Sequence, residues 1–131
     1  MRQTLMKKEI LRGYSAYKDV LIRGDVYTGR RLRIFALQAS DQKIQKYQPQ
    51  VGFGVSKVRS AVVRNRLKRL MREVVRKNKE FFYQCCKQAA VSRLILMCYS
   101  SSYRTIGRPG YSYQELDEEF RMLMQQLSRW Q

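Results

Sequence analysis

A chain of 131 residues suits one domain, spanning residues 1–131, with enough length to bury a modest core without staples. Twenty-seven lysines and arginines face ten acids, and the formal charge of +17 calls for a polyanionic partner, nucleic acid first and an anionic membrane surface second. The chain has no histidine, which removes Ser-His-Asp and Cys-His nucleophile systems and any histidine general base.

The opening "MRQTLMKKEILRG" has no apolar h-region, and the longest apolar run, Leu94 to Tyr99, is far too short to span a bilayer. Cys85, Cys86 and Cys98 make an odd set without a C-x-x-C, so they read as packing thiols in a reducing cytoplasm. The usual zinc-ligand spacings are missing as well.

Residues 1–7 are expected to be a flexible lead-in. Lys8 to Arg23 then reads as a helix, with Ile10, Tyr14, Tyr17 and Leu21 on one stripe. Gly24 and Gly29 bracket a turn that leaves room for a very short strand at Val26 and Tyr27. In "RLRIFALQ", Leu32, Ile34 and Ala36 face one side while Arg33, Phe35 and Leu37 face the other, a strand with both faces in use. A polar loop with Pro49 leads to "VGFGVS", Val51 to Ser56, a short strand whose glycines leave backbone open to close approach. A long basic helix and the buried strand "RLILMCYS" follow. A long loop over residues 100–111 precedes an amphipathic helix from about Tyr113 to Trp130. Ser112 and Glu115 have capping-box spacing, so Glu115, Asp117, Glu118 and Glu119 fall in early turns and complement the helix dipole. The whole is α+β, one sheet covered mainly on one face.

The basic segment, "VVRNRLKRLMREVVRKNK", holds the functional signal. On a helical wheel Val63, Leu67, Leu70, Met71 and Val74 gather into one stripe. Asn65, Lys68, Arg69, Arg72 and Arg76 lie opposite, with Arg64 and Arg66 on the two borders. A merely solvated face would mix in acids for i,i+4 pairing, and here Glu73 stands alone. Arginine forks match phosphate geometry bidentately, so the face reads as a phosphate-binding blade.

"AVVRNRLKRLMRE", Ala61 to Glu73, resembles the RNR helix of the protein subunit of bacterial ribonuclease P. "VGFGVSK" resembles the strand before that helix. "YKDVLIRGDVYTGRRLRIFAL" resembles the family's first helix, glycine turn and sheet strand, so the likeness covers roughly residues 8 to 130. It implies an α-β sandwich like a small-subunit ribosomal protein domain, with about four strands, three helices and a left-handed βαβ crossover. It also implies a function: an RNA-binding cofactor, in the cytoplasm, for the catalytic RNA of an endoribonuclease that removes the 5′ leader from precursor tRNA. The hydrolysis and its magnesium ions then belong mainly to the RNA, with no catalytic residue, organic cofactor, membrane or obligatory protein partner expected of the chain. A basic ribosomal protein binding rRNA is the alternative.

Carried over position by position, the resemblance assigns Lys57, Arg64, Asn65, Arg66, Lys68, Arg69 and Arg72 to RNA binding. Tyr17 and Phe35 match aromatics that line a cleft for the single-stranded leader, where stacking contributes about 1–3 kcal/mol per base. Arg31 and Arg33, beside Phe35 in sequence, are expected to follow the leader's phosphates. As residues alone, Tyr17 and Phe35 read more readily as ordinary core aromatics. The sequence departs from the family's "K-K-x-G" before the helix, since "SKVRSAVV" is shorter and lacks the glycine, so the strand-to-helix turn must close differently. Leu21 stands where a second cleft aromatic is common.

Overall fold

The computed structural model describes residues 5, 9–38, 49–56, 58–99 and 112–129. The elements in chain order are α1 (Tyr14–Arg23), β1 (Asp25–Thr28), β2 (Leu32–Gln38), β3 (Gln50–Ser56), α2 (Ala61–Lys77), α3 (Lys79–Gln88), β4 (Val91–Tyr99) and α4 (Tyr113–Arg129). The strands form one mixed sheet in the order β1-β2-β4-β3. β2 is antiparallel to both β1 and β4, whereas β3 and β4 run parallel with α2 and α3 between them as the crossover.

Strand alternation sets the layers. Leu32, Ile34 and Ala36 share a face with Val51, Phe53, Leu94 and Leu96, and α2, α3 and α4 close over it with Met71, Phe82, Phe120 and Leu123 among others. Each fully buried side chain of this kind contributes about 1.5–3 kcal/mol, so this face carries most of the stability. On the other face α1 covers a smaller cluster, Leu11, Val20, Phe35 and Ile95. The expected α+β sandwich, weighted to one face, is what the chain forms.

Two elements differ from expectation. The first helix begins at Tyr14, not Lys8, because Gly13 sits at φ 93 and cannot continue a helix. Just before it, Ile10 is bridged in parallel to Val51 at the sheet edge and the Leu11 N–H donates to the Val51 carbonyl at 2.9 Å. The stripe therefore shifts: Val20 is buried, while Tyr14 is 82% exposed.

Four helices stand where three were expected. Asn78 ends α2 with its side-chain amide donating to the Val74 carbonyl (2.8 Å) and to Asp117 Oδ1 on α4 (2.5 Å). The chain then re-enters a helix whose buried Phe82, Cys85 and Cys86 keep helical spacing. Lys57, most of residues 1–7, the loop 100–111 and Trp130 lie outside the described residues.

Candidate nucleic-acid interface

α2 anchors itself with Leu67, Met71, Val74 and Val75, while Val63 and Leu70 pack half-buried beside them. That apolar grip leaves Asn65, Arg66, Arg69 and Arg72 exposed on the outer side, with Lys68 half-buried at its margin. Among the described residues Arg66, Lys68 and Arg69 form no ion pair. Arg72 lies over the Phe53 ring, 5.7 Å from its centre, which steadies a cation at the edge of β3. Glu73 is taken up by Arg76 through two hydrogen bonds of 3.1 and 2.8 Å, and those bonds lower its pKa. The helix's one acid is thus paired locally, and Arg66 and Arg69 nearer its start remain directed at solvent.

The entrance to α2 closes without the family's glycine. Ser60 caps the helix, its Oγ accepting from the Val63 N–H at 3.3 Å. Arg64 folds back so that Nη1 donates to the carbonyls of Val58 (2.8 Å) and Arg59 (2.6 Å). Arg64 therefore holds the strand-to-helix turn, a structural task that its place in the RNR pattern did not announce.

On the α1 face, Tyr17 lies over β3 and its hydroxyl accepts from the Phe53 N–H at 3.2 Å. A Cβ at Gly52 would come within 2.5 Å of that hydroxyl, so this strand glycine is what admits the ring. Phe35 shares the face but is only 9% exposed, packed against Leu11, Val20 and Ile95. Arg33 is half-buried on the same side of β2, opposite Met97 of β4.

Arg31 is not beside them. Its guanidinium turns to α4, 2.9 Å from Glu115 Oε2 and 3.8 Å from Glu119 Oε1. Alternation would have placed it with Arg33, but β2 starts only at Leu32, and Arg31 belongs to the turn before it. The structure thus brings Tyr17, Phe35 and Arg33 to one face and sends Arg31 to the other.

A family model described as Ribonuclease P matches residues 5–128. The chain belongs to that family. It is 40% identical over 88 residues to a ribonuclease P protein component of Chlorobium phaeobacteroides, a match spanning 65% of this chain and 60% of that relative. The fold is similar to that of the RNase P protein of Staphylococcus aureus, with a TM-score of 0.64 at 14% identity over 89% of this chain and 93% of the other. It is also similar to that of the RNase P protein of Thermotoga maritima, with a TM-score of 0.62 at 16% identity over 94% and 98%.

Several carboxylates of α4 are tied inward. Glu119, only 7% exposed, accepts the backbone N–H groups of Arg30 (3.1 Å), Arg31 (2.7 Å) and Leu32, clamping the turn between β1 and β2. Asp117 binds Asn78 and Arg121, the latter at 2.6 Å. Of the acids expected to serve the dipole, only Glu115 lies in the first turn of α4. The cap itself is present, with Ser112 Oγ accepting from the Glu115 N–H at 3.4 Å, while the Glu115 carboxylate faces Arg31.

Sequence reasoning missed one further tie. The buried Glu9 accepts from Lys79 Nζ at 3.0 Å and from the Tyr83 hydroxyl, whose pKa burial and this carboxylate both raise. No local pattern around Glu9 signals a partner on α3, seventy positions on.

Proposed function

We propose that this chain is the RNA-binding cofactor of ribonuclease P, assisting a catalytic RNA in removing the 5′ leader from precursor tRNA. The observation that carries this reading is the outer face of α2. Asn65, Arg66, Lys68 and Arg69 sit on a helix locked into the core by four buried side chains, so the cations keep a fixed spacing without internal counter-ions. Fixed guanidiniums meet phosphates with little ordering cost, and releasing condensed counter-ions from the RNA drives binding. The face of the sheet under α1, with Tyr17 and Arg33, is the proposed path of the unpaired leader. Phe35 supports that path mainly by packing beneath it.

The chemistry is assigned to the RNA and its magnesium ions, which would activate water and stabilise the leaving oxygen. Five of the chain's carboxylates, Glu9, Glu73, Glu115, Asp117 and Glu119, are engaged by protein donors, which supports this division. What the protein residues do is neutralise phosphates and hold strands in register. Mixing the chain with a bacterial ribonuclease P RNA and precursor tRNA at low magnesium tests this. Faster cleavage at the mature 5′ end is expected, and cleavage no better than with RNA alone would defeat the reading.

A further inference from the structure

α1 has two flanks, and the leader path described above uses only one. Asp19 and Arg23 lie on the side of the helix turned away from Tyr17, about 120–160° round the axis from it at 100° per residue, and Arg12 stands just before the helix. With Lys18 and with Arg93 from β4 they line an open groove of about 670 Å³. Four of these five side chains are cationic. The one acid, Asp19, is already paired with Arg23, 3.0 Å away.

Arg93 is the telling member. It stands in the sheet, between Leu37 of β2 and Gln50 of β3, and is half-buried. Among the described residues it forms no ion pair. Withdrawing a guanidinium from water without a counter-ion is costly, and an anion in the groove would offset that cost. Alternation places Arg93 on the α1 face, with Ile95, whereas α2 covers the opposite face with Leu94 and Leu96. The groove and the α2 blade therefore look out from opposite sides of the sheet.

We propose that this groove is a second phosphodiester-binding site, gripping an RNA strand on the far flank of α1, so that the protein is held by RNA on both sides of its sheet. The proposal rests on the RNA-binding reading and extends it to a separate surface. The strand is supplied either by the catalytic RNA or by the precursor, and the two sources separate experimentally. Binding of the full chain to the catalytic RNA is measured across salt concentrations, as is binding of precursor tRNA by the assembled complex.

The test variant is Arg12→Gln with Arg93→Gln. The control is Lys87→Gln with Arg129→Gln, which removes the same charge from exposed ends of α3 and α4. The test variant should flatten the log–log salt dependence by roughly 0.7–0.9 for each phosphate no longer neutralised, which weakens binding roughly fivefold per phosphate near 0.1 M salt. The arm in which this occurs identifies the strand. Arg93→Lys, which keeps the charge in place, should retain most of the binding. Identical behaviour of test and control in both arms would overturn the proposal, as would weakening by Arg93→Lys equal to that of the double variant. If the wild-type chain itself fails to bind the catalytic RNA, the functional reading falls, and the groove proposal with it.

Discussion

α2 and α4 are both seventeen-residue amphipathic helices on the same face of one sheet, yet they use charge in opposite ways. α4 turns three of its four carboxylates inward: Glu119 holds the turn before β2, Asp117 ties down the break at Asn78, and Glu115 faces Arg31. α2 turns its cations outward, and most of those near its start meet no acid. The difference teaches where a net charge of +17 resides. Glu9, Glu115, Asp117 and Glu119 serve as internal fasteners, which leaves the basic outer face of α2 with little compensation and available to an outside polyanion.

The sharpest way to break this contrast is to remove the fastener. Glu119→Ala should cost about 2–3 kcal/mol, since it leaves the buried Leu32 N–H and two part-buried N–H groups without their acceptor. Urea unfolding measures it, and a change under about 1 kcal/mol would mean that the turn closes without the carboxylate.

Arg64 tests the other helix, because it alone among the RNR residues is seen bonding inward. Arg64→Ala should cost about 1–2 kcal/mol, its half-exposed setting trimming the roughly 1.5–3 kcal/mol typical of charged hydrogen bonds. Arg66→Ala and Arg69→Ala should fall within about 0.5 kcal/mol of wild type. Equal melting temperatures for all three would erase the distinction.

A pH effect belongs to the α4 side of the contrast. Burial, aided by Glu119, pushes the Cys98 thiol up to about 12 from an unfolded value of 9.0. A raised folded pKa stabilises fully below the unfolded value, and that contribution is lost as pH climbs toward the folded one. Cys98→Ala should therefore flatten the alkaline decline in stability, and a slope identical to wild type would contradict the assignment. Smallest of all is Glu73→Ala. It should barely move the melting temperature but tighten RNA binding, because it deletes the blade's one acid.

Much of this was legible in the sequence, for identifiable reasons. Period-two alternation in "RLRIFALQ" declared both faces of β2, and the apolar stripe of α2 named its buried side with only Val75 added. The packing of Tyr17 over a strand glycine was foreshadowed by "VGFGVS". What escaped was mostly non-local. Arg31 and Glu119 meet across 88 positions, and Glu9 meets Lys79 across 70, distances over which no periodicity speaks. α3 is different, since Phe82, Cys85, Cys86 and Ala89 keep i, i+3, i+4, i+7 spacing and could have been read. The early start given to the first helix overlooked that Gly13 would stop it.

The most direct test of the central claim is the salt dependence of binding to ribonuclease P RNA for Arg66→Ala with Arg69→Ala, set beside wild type. Both side chains are exposed and neither is tied to the protein, so the fold should be unaffected. The outward face of α2, if it lies on phosphate, predicts weaker binding and a log–log slope flatter by roughly 0.7–0.9 for each phosphate released. An unchanged slope, with the protein still folded and still bound, would place the RNA on another surface and contradict the account.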